Sequence, residues 1–568
     1  MDRLEDIMEQ ARAYLKGQMG AEERQVFEQL LEEQPTLREE LALARLMMQG
    51  AEELGLRNRR RKLRITQMAL LSLLLVVVAI LILRWNGGAS EDSASSNTPP
   101  PPSVSRLGGI SQLRNSDRAH AVAWSKEGSL AILGIFEASA QFGEFTLRSR
   151  GKRDVFLTQV DPEGSYEWAL QIGGEEGTDF GKGLALDRKG NILATGSFGG
   201  RVDFAGQPMV SVGMGDMGPE DFFVASFTPR GQLRWARHAG GHRIPDKQTG
   251  SNRGMSITAD PFGNVIATGL YVGSPKVGND LLPTGGPNSD LFLVKYSADG
   301  DFRWVRPVTG SYMVIGNDVN TDREGNIYLT GFFGHHNLSG EATFENVTLK
   351  SYGGRDIFVA KYNPEGSLLW VKQAGSSLSK DGNDFGMAIV VDSLQNSYIT
   401  GCFTDTAHFG LFPLASAGGR DIFIAKCGPD GEFLWVSRAG GPGLLDVANA
   451  IDIDRAGNSY ITGCFNGQAQ FGDKTLTSNG SADIFIAKYG PEGELIWVRQ
   501  AGGPLEDLDA DDGRSIAFSN DKGELAITGF FSGMMQIAGR TLSSFGREDM
   551  LIIRMDKDGN FLGAEVVP

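Results

Sequence analysis

The stretch "DLDADDGRS", Asp507 to Ser515, sets acidic side chains at alternate positions, the arrangement that gathers oxygen ligands around calcium. The pattern then breaks. Asp512 stands where the tight-turn glycine belongs, and Phe518 falls where a bidentate glutamate is needed, so the expectation is a solvated acidic loop. His335 and His336 sit in an expected loop with no third ligand in view. "GMGDMG" at 213–218 is glycine-rich but lacks the lysine and following helix of a phosphate-cradling loop. Cys402, Cys427 and Cys464 are odd in number and have no paired spacing, which argues against a disulfide framework or a zinc site. No Ser/His/Asp nucleophile set or carboxylate pair stands out. No catalytic, cofactor-binding or metal residue is therefore assigned, and the chain is expected not to be an enzyme. Recognition falls to the unequal loops, such as "GGHRIPDKQTGSNRG" at 240–254 and "GSSLSKDGNDFG" at 375–386.

The elements that carry those loops are set by composition and period. The chain has 568 residues, 76 of them glycine, too long for one ordinary core and suited to a turn-rich β repeat. Net charge is −16, so a phosphate-binding surface and a nucleic-acid partner are not expected.

Residues 1–56 read as helices. "DRLEDIMEQARAYLKG" aligns Leu4, Ile7, Met8, Ala11 and Leu15 on one face, and "GAEERQVFEQLLEEQ" repeats the pattern with Val26, Phe27, Leu30 and Leu31. Pro35 opens a third helix. This segment holds seven more acidic than basic residues. Residues 57–64, "RNRRRKLR", form a basic cluster before the apolar run 65–85, "ITQMALLSLLLVVVAILILRW". That run would make a helix of about 30 Å, enough to cross a bilayer. Positive charge before it and little after it predict a cytoplasmic N-terminus and an exported remainder, with the protein in the bacterial inner membrane. Residues 86–102, rich in Ser and Pro, read as a tether.

From residue 103 the chain is periodic. An aspartate recurs as Asp154, Asp221, Asp290, Asp356, Asp421, Asp483 and Asp549. Ten residues after each stands a glycine, and fourteen after the first six stands Trp168, Trp235, Trp304, Trp370, Trp435 or Trp497, with Gly563 in the last. Each unit reads as four strands, with a short extra hairpin between the second and third. Because strands alternate faces, a constant interval of fourteen puts each Trp at an equivalent site between sheets. Seven such units over 103–568 predict a mainly β fold, a seven-bladed β-propeller of four-stranded blades. "SVSRLGG" at 103–109 is similar to "WVSRAGG" at 435–441, so it is expected to pair into the last blade and lock the ring.

"GNSYITGCF" and "SADIFIAKYGPEGELIWVRQAGG" with their copies resemble the SBBP-type bacterial β-propeller repeat, over residues 103–568. Separately, Tyr14, Leu15, Gly17, Glu22, Glu23, Phe27, Glu28, Leu31 and Pro35 resemble the helical N-terminal module of membrane-bound bacterial anti-sigma factors. No His or Cys precedes residue 120, so the resemblance is to a zinc-free type. It implies a single-pass regulator in which residues 1–56 hold a sigma factor. The exported propeller would then bind a protein or glycan. The rival expectations are a tethered scaffold or adhesion protein with no sigma-factor role and, third, a propeller enzyme.

Overall fold

A computed structural model describes residues 116–175, 177–211, 220–240, 251–283, 288–377, 382–503 and 511–567. The expected helical module (1–56), basic segment (57–64), membrane span (65–85), tether (86–102) and locking strand (103–109) lie outside the described residues. Among the described residues no helix is long and apolar enough to cross a membrane.

Runs such as "SYITGCF" and "DIFIAKY" combine β-branched and aromatic residues and form strands Ser459–Phe465 and Asp483–Tyr489, buried along their whole length. With Val447–Ile453 before them and Leu495–Ala501 after, they pair antiparallel in chain order. The Asp454 carboxylate accepts the amides of Ala456 and Asn458 at 2.9 Å and so shapes the first turn of this meander. The same meander recurs along the chain. Its innermost strands are Arg118–Trp124, Phe180–Leu186, Arg253–Ala259, Met313–Thr321, Phe385–Val391, Val447–Ile453 and Asp512–Ser519. Each innermost strand packs beside those of its neighbours, and the first lies against the last, so the array closes as a β-propeller.

The expected division into separate four-stranded blades is corrected by the hydrogen bonding. The pairings make sheets of six, four, six, ten, four and four strands, with three two-stranded ribbons. The cause is the extra hairpin, which reaches back onto the outermost strand of the preceding meander. Ile172 and Gly173 pair with Phe204 and Asp203, Thr309 and Gly310 with Thr343 and Ala342, and Ala439 and Gly440 with Phe471 and Gln470. In the fifth repeat the hairpin is continuous with its parent strands, Ser397–Phe409 and Phe412–Cys427, and fuses its neighbours into the ten-stranded sheet. An edge left bare would expose unpaired N–H and C=O groups; the hairpins cover it.

The fourteen-residue interval also finds its reason. Trp235 donates its indole N–H to the Ala298 carbonyl at 3.0 Å, in the turn before the last strand of the next repeat. Gly300 of that turn has φ +82°, and a Cβ there would come within 2.5 Å of the Trp235 ring. Trp168, Trp370, Trp435 and Trp497 make the same bond to Pro229, Pro429, Pro491 and Lys557. The Gly and Trp columns thus meet across two repeats: glycine of one roofs the tryptophan of the one before.

The aspartates that open the third strands are buried. The Asp356 carboxylate accepts the Tyr352 amide at 2.9 Å and the Gln373 side chain at 2.6 Å. Glycine at the end of the outermost strand permits this. At Gly240 a Cβ would stand 1.6 Å from an Asp221 oxygen.

The last meander takes its fourth strand, Phe561–Val567, from the carboxyl end. One expectation fails here: Asp511 and Asp512 are buried rather than solvated. Asp511 accepts the amides of Gly503 and Ser532, and Asp512 pairs with Arg514 at 2.9 Å.

Candidate functional site: the propeller channel

The first and second strands of every meander slip register once, at the same place. The shifts fall between Ala119 and Ala121, Gly181 and Gly183, Gly254 and Ser256, and Gly316 and Asp318 in the first four repeats. They fall between Gly386 and Ala388, Ala448 and Ala450, and Gly513 and Ser515 in the others. A bulge leaves one residue outside the ladder and re-aims its side chain. The residues so released are His120, Lys182, Met255, Asn317, Met387, Asn449 and Arg514, and all of them line one cavity of about 430 Å³. That cavity shares Leu186, Val390 and Asp452 with a wider one of about 770 Å³ among the first turns, where Asp260, Asp322, Arg323 and Arg455 lie. The two run into each other as a channel.

Side chains stitch neighbouring innermost strands together around this channel. His120 Nδ1 lies 2.7 Å from the Gly181 carbonyl, which fixes the proton on Nδ1. Asn317 donates to the Gly386 carbonyl at 2.8 Å. Asp318 accepts the Ser256 hydroxyl at 2.6 Å and the Ile389 amide at 2.7 Å, bridging the third and fifth repeats. Asp452 accepts the Phe518 amide at 2.7 Å. Burial pushes both carboxyl groups up to about 6, against the pull of these donors.

The lining is not uniform. Arg514, His120 and Lys182 come from the seventh, first and second repeats and so form one charged and imidazole-bearing arc, whereas Met255, Asn317, Met387 and Asn449 alternate apolar and amide side chains around the rest of the ring. Burial holds the Lys182 ammonium down at about 8, with Arg514 and Arg118 repelling it further and Asp512 opposing them. Burial and nearby cations hold His120 well below its usual range, so it stays neutral.

The residues singled out from sequence lie elsewhere. The His335 and His336 rings lie 4.1 Å apart at a tilt of 37°, with the Tyr312 ring 4.7 Å from His335, on a surface loop. No cluster able to hold a metal ion occurs among the described residues. Cys402, Cys427 and Cys464 are free and buried, and burial pushes the Cys402 thiol up to about 12. "GMGDMG" and parts of both long loops lie outside the described residues.

Sequence reasoning missed the bulge ring, although each member directly follows an Ala or Gly at one fixed place in the repeat. It also missed a second buried aspartate column just before the innermost strand. In six repeats the side chain of Asp117, Asp179, Asn252, Asp384, Asp446 or Asp511 accepts an amide at the end of the second strand. Desolvation pushes Asp117 up to about 7 and Asp179 to about 8.

The class is a β-propeller built of repeats. Residues 167–197 match the SBBP family, described as "Beta-propeller repeat". The chain is similar to an uncharacterised WD repeat-containing protein of Acanthamoeba polyphaga mimivirus. The two are 24% identical over 496 residues, which is 71% of this chain and 34% of the viral protein. The chain thus matches about a third of that relative's length. Among solved structures, a polysaccharide lyase that is an ulvan lyase aligns over 79% of this chain and 97% of its own, at 9% identity and TM-score 0.39. A eukaryotic initiation factor aligns over 80% and 96%, at 11% identity and TM-score 0.30. Likeness at this level bears on neither activity nor ligand.

Proposed function

We propose that the chain is a single-pass regulator of the bacterial envelope. In this reading residues 1–56 hold a sigma factor in the cytoplasm and residues 65–85 cross the inner membrane. Residues 86–102 are the stalk, and an exported ring of seven blades binds a protein or glycan. The seven-blade count is supported by the channel, to which each of seven innermost strands contributes one bulged residue. The regulator half is supported by the order of parts in the sequence: acidic helical segment, basic cluster, apolar run, proline-rich stretch, repeats. The observation that carries the ligand-binding half is the separation of labour within the repeat. The recurrent Asp, Gly and Trp hold the scaffold, while the bulge column varies in chemistry from blade to blade and lines an open channel.

The test is co-purification of the full-length protein from its native membrane. The expected result is a sigma factor that is recovered with the full chain and lost when residues 1–56 are deleted. A preparation free of any sigma factor, together with a gene deletion that alters surface attachment and leaves transcription unchanged, would give the place to a tethered scaffold or adhesion protein.

A further inference from the structure

The polar arc of the channel holds more donors than the protein uses. Arg118 is committed to Glu548, its two nitrogens donating at 2.6 and 2.8 Å. Arg514 is paired with Asp512 at 2.9 Å, and the other Asp512 oxygen takes the Asn449 amide at 2.6 Å. The local acid is therefore saturated. Arg514 Nε is buried and has no hydrogen-bond partner. Lys182 Nζ makes no hydrogen bond or ion pair among the described residues, and its side chain, half-buried, lines the channel. With both arginines paired, the arc presents one uncompensated positive charge at Lys182, held beside Arg514 and Arg118. An ammonium crowded by like charges and lacking a counter-charge gains from an anionic ligand that supplies one.

Between the two cations lies His120. Its Nδ1 proton is taken by the Gly181 carbonyl at 2.7 Å, so Nε2 of the neutral ring is an acceptor. A bare anion would leave that acceptor unmet. A hydroxyl beside a carboxylate would satisfy it.

We infer that Lys182, Arg514 and His120 form a binding site for a hydroxycarboxylate, the grouping an acidic sugar carries. The carboxylate accepts charge-assisted hydrogen bonds from Lys182 and Arg514, and the neighbouring hydroxyl donates to His120 Nε2. A cavity of about 430 Å³ that opens into the wider mouth has room for one sugar ring, and Asn317 and Asn449, interleaved with Met255 and Met387, offer amides to its remaining hydroxyls. This names the ligand class for the propeller and rests on the ligand-binding reading above.

The probe is glucuronate, with glucose as its uncharged counterpart, titrated calorimetrically into the full-length protein. Saturable glucuronate binding is expected, at least tenfold tighter than glucose, weakened at least tenfold in Lys182→Met and largely kept in Lys182→Arg. In the unaltered protein, glucuronate is expected to slow acylation of the Lys182 amine, read by peptide mass spectrometry, which covers the case of a variant that does not fold. Equal binding of glucose, no saturable binding of glucuronate, or unchanged acylation overturns the site. Sigma-factor recovery from the same preparation is read separately. Its loss with glucuronate binding kept overturns the regulator reading alone, and the converse overturns the hydroxycarboxylate site alone.

Discussion

At six of the junctions between neighbouring repeats a glycine roofs a tryptophan, and the closing one differs. At the junction of the sixth and seventh repeats, Trp497 lies 8% exposed beneath Gly559 and bonds to the Lys557 carbonyl. Arg499, two residues on, donates to the Gly559 carbonyl at 2.9 Å. At the junction of the seventh and first repeats the tryptophan position is Gly563, and Gly164, the glycine that should roof it, has nothing near its Cβ direction. A cleft of about 160 Å³ remains, lined by Trp124, Leu130, Gly164, Ile552 and Gly563 among others. Charge replaces the missing ring. Glu548 holds Arg118 and Ser116 across this junction, Lys522 donates to the Gly128 carbonyl at 2.8 Å, and Trp124 reaches the Ala517 carbonyl at 3.1 Å. A ring can thus be made of one repeated contact and still close by a different one.

The comparison is sharpened first by removing what the ordinary junctions share. Trp497→Ala is expected to cost about 3–5 kcal/mol, from lost burial and the cavity left behind. A shift in denaturation midpoint no larger than that of a surface variant would show that the tryptophans are not what binds repeat to repeat. Glu548→Gln comes next, at about 2–3 kcal/mol. The buried partner of Arg118 is lost, but the guanidinium is partly open to water, which softens the penalty.

Gly563→Trp tests the junction from the other side. Filling the cleft is expected to stabilise by about 1–2 kcal/mol, seen as a raised midpoint, because a large ring leaves water for a ready-made space. A lowered midpoint would mean that the closing junction is built for its cleft. Smaller still is the effect of pH at that junction. Asp117 is raised to about 7 in the folded chain by burial, so between about 4 and 7 the folded state holds a proton that the unfolded state has lost. Its contribution is complete below the ordinary carboxylate range and disappears as pH rises through about 7. Melting temperature is therefore expected to fall over that interval, and Asp117→Asn to flatten the fall. Least of all, Arg455→Ala, which breaks an exposed 3.0 Å pair with Asp521, is expected to change stability by about 0.5 kcal/mol or less.

Much of the scaffold was legible because its chemistry repeats. The Asp, Gly and Trp columns are constant in type and interval, and a constant interval in a strand fixes which face a side chain takes. What escaped was whatever depends on partners distant in the chain. The hairpin "AQFGDKTLTS" could be read as a hairpin, but not as a strap on the preceding repeat, since its bonds to Ala439 and Gly440 leave no trace in either segment alone. The bulge ring was hidden for the opposite reason. His120, Lys182 and Arg514 share a place and nothing else, so a search for recurring residue types passes over them. Asp511 was read as solvated because its run is acidic; its burial comes from the amides of Gly503 and Ser532, which close around it.

The backward reach of those hairpins has a consequence for how such a chain comes into being. A polypeptide that emerges amino end first can latch most fresh modules to a finished predecessor, because the needed partners lie within about one repeat length. The Ser116–Glu548 and Arg118–Glu548 contacts, separated by 432 and 430 positions, must wait for the tail to arrive, as must the Lys522–Gly128 and Trp124–Ala517 bonds. Their loop entropy falls due once, at the end, when a nearly complete arc brings its two tips together.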